Sequence, residues 1–330
     1  MTWWSAAAGR VAQGEACVLV TVCTVKGSAP REPGAKMLVW ADGQDGTVGS
    51  GNLEFTIVEQ ARRMLDSGGV WRFQNYPLGP LLGQCCGGNV GLLLERLDSE
   101  STAWLSDIAA AEAAAHPYCV TSQLGAAAVA KQVTEGAPGE DAITVHHDRR
   151  QSVTGPLGEG ATIIERMTPC PRLLMFGAGH VGRALASIAA TLPFHLDWFD
   201  TRPEFAGPGV TLTDDPVGHV RAAPAGAFAL IFTQSHALDY DLTRAVLARG
   251  DFAYCGLIGS ATKRARFEKR LVADGLPRAA LSALTCPIGE IGLASKLPQV
   301  MAVAIAAELL LVLEASAKRA AEPARTRHAL

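Results

Sequence analysis

The sequence contains no C-x-x-C pair, no H-E-x-x-H and no G-x-S-x-G, and none of its 4 tyrosines is followed four positions later by a lysine. The first absence removes the usual zinc and thioredoxin signatures. The next two remove the zinc-protease helix and the serine nucleophile of the α/β-hydrolases. The last removes the Tyr/Lys acid–base pair of short-chain dehydrogenases. No run of about 18 consecutive apolar residues occurs, so no membrane-spanning helix is expected. The opening Met1-Thr2-Trp3-Trp4-Ser5 has no basic start, and a cleavable signal is not expected either. Basic residues form only a mild cluster near the C-terminus, and the formal net charge is −3. That balance gives no electrostatic reason to expect nucleic acid as a partner.

The 330 residues suggest two domains of roughly 150 each. Apolar residues make up 48 % and charged residues 18 %, enough for ordinary cores and too apolar for general disorder. The cysteines are Cys17, Cys23, Cys85, Cys86, Cys119, Cys170, Cys255 and Cys286. Most sit in apolar, strand-like runs, where cysteine acts as a small buried hydrophobe. A reducing, cytoplasmic setting fits this usage.

Along the first half, Ala16 to Val25 reads as a strand, followed by a Pro/Gly loop from Gly27 to Gly34, a returning strand Ala35 to Trp40 and a turn Ala41-Asp42-Gly43. Ile57, Val58, Ala61 and Leu65 have helix spacing, which predicts a helix from Leu53 to Leu65. Val70 to Tyr76 and Asn89 to Leu97 are strand candidates. Ser101 to Ala115 reads as an Ala-rich helix capped by Ser101 or Thr102. Weaker strands (Tyr118 to Ser122, Ala142 to His146, Ala161 to Glu165) lead to a boundary near Met167-Thr168-Pro169.

Beyond it the pattern changes. Strands are expected at Arg172 to Phe176, His195 to Asp200, Phe228 to Thr233 and Phe252 to Ile258, alternating with helices at Val181 to Leu192 and Tyr240 to Arg249. Such alternation indicates a parallel sheet with helices on its faces. The fold class expected is α/β: a C-terminal Rossmann-like parallel sheet with a smaller N-terminal α/β domain, divided as 1–168 and 169–330. A last helix, Gln299 to Glu314, is apolar nearly all round and expected to be buried. The basic tail from Ala315 has too few large apolar residues to pack and is expected to fray.

Gly177-Ala178-Gly179-His180-Val181-Gly182 fits G-x-G-x-x-G between a strand and a helix. The first glycine allows the tight turn, the second lets the backbone approach a pyrophosphate, and the third lets helix and strand pack closely. The helix N-terminus adds N–H donors and partial positive charge. Asp200 stands where an acid would bond a ribose hydroxyl. Arg202 leaves two readings open, a hold on a 2′-phosphate or a pairing with Asp200. Ser260 and Lys263, in Gly259-Ser260-Ala261-Thr262-Lys263-Arg264, mark either another anion seat or a capped helix with a solvated basic face. His180 is either a ligand contact or a solvated helix-start residue. No obvious acid–base group accompanies the loop, which weakens the reading as an NAD(P)-dependent oxidoreductase.

Three first-half segments are rich in glycine: Gly27-Ser28-Ala29-Pro30-Arg31, Gly49-Ser50-Gly51-Asn52-Leu53-Glu54 and Gly83-Gln84-Cys85-Cys86-Gly87-Gly88. Each alone is a turn or an anion-holding concavity of backbone N–H groups. Arg31 has the fork geometry for a phosphate.

Taken in order, these segments resemble the xanthine dehydrogenase accessory protein family, XdhC and its CoxI relatives. The resemblance rests on G-S-x-P-R-x-x-G-A-K-M from Gly27, L-G-Q-C-C-G-G from Leu82 and F-G-A-G-H-V-G-R-A-L from Phe176. It continues with Asp200-Thr201-Arg202-Pro203-Glu204-Phe205, the stretch from Gly259 to Phe267, Cys286-Pro287-Ile288-Gly289 and Lys296-Leu297-Pro298. It spans about Ala16 to Glu314. Ser50-Gly51-Asn52 departs from it, since many relatives read Gly-Gly there.

The resemblance implies a non-enzymatic chaperone of purine catabolism. It would bind the molybdenum cofactor (molybdopterin), protect it during sulfuration and insert it into xanthine dehydrogenase. Its implied partners are that enzyme and a cysteine desulfurase as sulfur donor, with a homodimer expected and no membrane or nucleic acid. The cofactor-binding residues expected on this basis are Ser28, Arg31, Gly49, Ser50, Gly51, Gln84, Cys85, Cys86, Gly87, Gly177, Gly179, His180, Gly182, Asp200, Ser260 and Lys263. Gln84 suits a pterin edge. Cys85 or Cys86 is the candidate molybdenum contact or sulfur carrier, since adjacent residues on an extended segment point to opposite sides. The alternatives are buried packing for one and an incidental neighbour for the other. No protein-only metal site is expected, and the 177–182 loop is open to a separate nucleotide.

Overall fold

The computed structural model describes residues 2–49, 51–78, 87–136, 143–146, 157–293 and 295–321, with no side chains described beyond 316. The chain divides into two compact units, Met1–Pro169 and Cys170–Leu330. The N-terminal unit is therefore not the smaller of the two, contrary to expectation.

The first unit runs α1 (Trp3–Ala12), β1 (Cys17–Lys26), β2 (Lys36–Trp40), β3 (Gly43–Gly46), α2 (Asn52–Ser67), β4 (Trp71–Pro77), β5 (Asn89–Leu97), α3 (Thr102–Ala114), β6 (Tyr118–Leu124), β7 (Val129–Glu135), β8 (Ile143–His146) and β9 (Thr162–Met167). Its strands form two antiparallel sheets, ordered β3-β2-β1-β5-β4 and β7-β6-β9-β8. β1 is apolar along most of its length because both faces are covered. Val18, Val20 and Val22 pack with Leu53, Ile57 and Ala61 of α2, while Cys17 and Leu19 pack on the other side with α1 and α3. Two buried ion pairs lie among the described residues of this unit, Lys36 with Glu165 and Lys131 with Glu95.

Several of these elements were not foreseen. α1 lies in an Ala-rich stretch without clear apolar spacing. β3 and β7 are largely exposed, so their sequences carry no hydrophobic signal. The helix expected from Ser101 begins at Thr102 after a short 3-10 turn, Ser99–Ser101. Neither candidate caps the helix itself; Ser101 Oγ instead accepts the Asp98 N–H at 3.3 Å, while Asp98 accepts that of Glu100 at 3.2 Å.

The second unit runs β10 (Arg172–Phe176), α4 (His180–Ala189), β11 (His195–Asp200), β12 (Val210–Leu212), α5 (Pro216–Ala222), β13 (Phe228–Ile231), α6 (His236–Arg249), β14 (Tyr254–Leu257), α7 (Ala261–Ala273), β15 (Leu284–Thr285) and α8 (Pro298–Ala321). The sheet is wholly parallel and ordered β12-β11-β10-β13-β14-β15. Counted within the unit this is 3-2-1-4-5-6, the doubly wound order of Rossmann folds. Strands buried on both faces read as short apolar runs, which is why β10 and β13 were legible.

α8 departs from expectation twice. It continues to Ala321, so the segment from Ala315 is helical, and residues 322–330 lie outside the described residues. It is also not wholly buried. Ala302, Ile305 and Leu309 join the core beside α4, while Val303 and Leu311 are 54 % and 63 % exposed. By length and composition Pro298–Ser316 is apolar enough to cross a membrane, whereas no such span was expected.

Candidate functional site

The glycine loop joins β10 to α4. Gly177 has φ 120, a conformation that favours glycine, and a Cβ there would lie 2.5 Å from the Phe232 carbonyl oxygen. A Cβ on Gly182 would lie 2.2 Å from the Gly177 carbonyl oxygen. Packing therefore demands the first and third glycines. Gly179 is different: it is extended, at φ −69 and ψ −168, and a Cβ there would meet nothing within 4 Å. The fold does not require glycine at 179. Leaving out a side chain keeps open the approach to the first turn of α4, whose N–H groups have no partner within the helix. That turn carries no acid, and His180 is exposed at its start.

Asp200, at the end of β11, is buried and fully engaged. Oδ1 accepts the backbone N–H of Arg202 and its Nε–H, each at 2.9 Å. Oδ2 accepts Nη2–H of Arg202 at 2.8 Å and the backbone N–H of Ala178 at 2.6 Å. Burial pushes this carboxyl up, but the Arg202 guanidinium and the Ala178 N–H outweigh it and hold the group below the usual carboxylate range. The same contact raises Arg202 above its ordinary value. Of the two readings open for Arg202, the structure shows the pairing with Asp200. The acid expected to face a ribose thus ties the glycine loop to β11. Arg202 also donates to Gln234 at 3.0 Å and stacks over Phe205, its guanidinium carbon 3.7 Å from the ring centroid.

Around this grip lies a cleft at the carboxyl ends of β10, β11 and β13, where the strand order reverses. Parallel α/β sheets receive ligands at such switch points. Thr201, Thr213, Thr233, Gln234 and Ser235 supply it with neutral polar groups. Sequence reasoning passed over the last three, although their place directly after a central parallel strand is a usable signal. Ser260 caps α7 by accepting the Lys263 N–H at 3.2 Å. Lys263 Nζ donates to buried Asp239 at 2.5 Å and to the Ile258 carbonyl at 2.9 Å. The basic run therefore includes one neutralised lysine rather than a free anion ligand.

In the first unit, the turn after β1 abuts both other glycine segments at one end of the sheet. A Cβ on Gly88 would lie 2.2 Å from the Ser28 carbonyl oxygen, and one on Gly49 would lie 3.4 Å from Pro30 Cγ. Ser28, Arg31, Gly51 and Gly87 are exposed there, and Arg31 has no ion pair among the described residues. Glu54 is held by Thr47 and, at 2.9 Å, by Gln44. Ser50, Gln84, Cys85 and Cys86 lie outside the described residues. Burial pushes the Cys17 thiol up to about 11 and that of Cys255 to about 12, so neither supplies a thiolate near neutrality. Among the described residues, no group of three or more His, Cys, Asp or Glu could hold a metal ion.

These features define the second unit as a Rossmann-type domain with a glycine loop between its first strand and helix. The family model described as "XdhC Rossmann domain" matches residues 173–309, and that described as "XdhC and CoxI family" matches residues 10–74. The chain belongs to the XdhC and CoxI family. The uncharacterized protein YqeB of Escherichia coli (strain K12) is 30 % identical over 154 residues, which is 43 % of this chain and 27 % of that protein. This chain thus aligns with about a quarter of that relative's length. A solved chain described as a xanthine dehydrogenase from Bacillus halodurans matches with a TM-score of 0.73 over 98 % of both chains. At 22 % identity that likeness establishes the fold.

Proposed function

We propose that this protein serves xanthine dehydrogenase maturation as an accessory protein. On this reading it holds the molybdenum cofactor, shields it while its terminal sulfur is installed and passes it to the apoenzyme. One observation carries the reading: an open helix N-terminus stands beside an acid that has no free oxygen. Gly179 leaves the first turn of α4 open, while Asp200 is consumed by Arg202 and Ala178. Such a cleft binds without offering a base for proton transfer.

The residues suit the cargo. Molybdopterin carries a phosphate monoester and a flat pterin edged with donors and acceptors. N–H groups of residues 180–182 suit the phosphate, and the neutral Thr233, Gln234 and Ser235 suit a pterin edge. In the first unit taken by itself, the exposed Arg31 and Ser28 are an alternative seat for the phosphate. The cargo supplies the molybdenum and its sulfur chemistry; the chain supplies seating and exclusion of water. Family membership supports an accessory, non-enzymatic role toward xanthine dehydrogenase; a cysteine desulfurase as sulfur donor and a homodimer working in the cytoplasm complete the proposal.

A second reading, an NAD(P)-dependent oxidoreductase, is favoured by the 3-2-1-4-5-6 strand order and the loop itself. Equilibrium titration of the purified protein separates the two. Tight binding of the molybdenum cofactor, with weak or absent binding of NAD(H) and NADP(H), is expected. Nucleotide binding without cofactor binding would replace the chaperone with the oxidoreductase.

A further inference from the structure

α8 carries two apolar faces. Ala302, Ile305 and Leu309 are buried in the core beside α4. On the opposite side Val300, Val303, Ala307 and Leu311 follow one another at spacings of three or four residues and so form one stripe. Among the described residues eight large apolar side chains are exposed, and five of them fall between Ile291 and Leu311. A surface helix ordinarily turns charged and polar residues outward, and one that is apolar all round is covered on every side. The outward stripe of α8 lacks the cover that its composition calls for.

The charges say what covers it. From Leu297 to Leu313 the only ionisable residue is Glu308, which accepts the Gly289 N–H at 2.6 Å. Exposed charges of opposite sign bound this stretch, Lys296 at the entry to α8 and Glu314 near its far end. Neither has an ion pair among the described residues. An antiparallel copy of the same helix brings each Lys296 to the other copy's Glu314 and opposes the two helix dipoles. A parallel copy would put like charges together at both ends. With the two-fold axis level with Ile305, midway between the two charges, Val303 of one copy faces Ala307 of the other, a large side chain against a small one. Lipid fits less well. A helix lying on a bilayer pairs its apolar face with a basic, solvated one, whereas the other face of α8 is buried in the core.

We propose that the outward stripe of α8 is a two-fold interface on which a second copy of this chain docks, antiparallel, with Lys296 of each copy meeting Glu314 of the other. Such an interface is isologous, and homodimer interfaces are more apolar than ordinary surface. It gives the homodimer of the functional reading a surface; it rests on that homodimer and not on the cofactor.

The test is sedimentation equilibrium of the full chain at micromolar concentrations, with urea unfolding of each variant as the control for folding. The wild type is expected at twice the 34.6 kDa mass of the chain. Val303→Asp, at an exposed position of the single chain, should fold and dissociate at least a hundredfold more readily, because it buries two like charges at the axis. Lys296→Glu and Glu314→Lys should each weaken association several-fold. The double swap Lys296→Glu/Glu314→Lys should restore it, which a parallel pair would not do. If Val303→Asp fails to fold, the charge swap decides. Dissociation by Val303→Asp without rescue by the swap would overturn the antiparallel pairing. A wild-type dimer indifferent to all these variants keeps the homodimer and overturns this surface. A wild-type monomer overturns both and leaves the cofactor reading to its own titration; flotation of that monomer with phosphatidylglycerol vesicles would give the stripe to lipid instead.

Discussion

Asp200 grips Arg202 at two points, Nε to Oδ1 at 2.9 Å and Nη2 to Oδ2 at 2.8 Å, while Oδ2 also takes the Ala178 N–H at 2.6 Å. One carboxylate thus fixes both the glycine loop and the residue following β11. Replacing Asp200 by Ala strands these donors, and hydrogen bonds to charged groups are worth about 1.5–3 kcal/mol each. A loss of about 2–3 kcal/mol in urea unfolding is expected. Arg202→Ala should lose less, since the Ala178 bond survives it.

The same grip sets a pH dependence. The folded Asp200 carboxyl lies below its ordinary value, so it binds a proton less readily than in the unfolded chain. Its contribution is fully present above the unfolded value of about 3.9 and is lost as pH falls through the lower folded value. Acid titration of the unfolding midpoint should show the wild type losing stability below about pH 4. Asp200→Asn should start less stable and lose less across that window.

The three loop glycines separate fold from ligand. Gly182→Ala forces a Cβ to within 2.2 Å of the Gly177 carbonyl oxygen, and destabilisation of about 1–3 kcal/mol is expected from overpacking. Gly179→Ala places its Cβ in open space at an allowed backbone conformation, so stability should change by no more than about 0.5 kcal/mol. Ligand affinity in the second unit should instead fall. Thermal unfolding and cofactor titration of both variants check the contrast.

Lys36 and Glu165 form one of the buried pairs of the first unit, with Thr21 Oγ1 3.1 Å from the ammonium. Removing one member of such a pair costs about 3–5 kcal/mol, whereas replacing both with apolar groups is often neutral. Lys36→Met should therefore be strongly destabilised in urea. The double variant Lys36→Met/Glu165→Leu should recover most of the loss.

The sequence carried these features unevenly. β10, β13 and the loop between β10 and α4 were legible because strands buried on both faces leave continuous apolar runs, and the glycines punctuate them. β7, with Gln132, Thr134 and Glu135 exposed along it, has no such signal. The antiparallel pairing of β6 with β9 joins Tyr118 to Met167 across a long separation, which no local pattern announces. Asp200 was legible as an acid in the right place. Its engagement depends on Arg202 folding back two residues and on the Ala178 N–H, and local spacing left both readings open. α8 looked buried because apolar residues lie all round it, yet a domain of this size leaves Val303 and Leu311 exposed.

The most direct test of the central claim is transfer. Wild-type protein and Gly179→Ala, each loaded with molybdenum cofactor, are mixed with apo xanthine dehydrogenase, and recovered activity is followed against free cofactor. The account predicts faster and more complete activation by the wild type than by free cofactor, with Gly179→Ala folded but impaired. Activation no better than with free cofactor, or undiminished in Gly179→Ala, would contradict it.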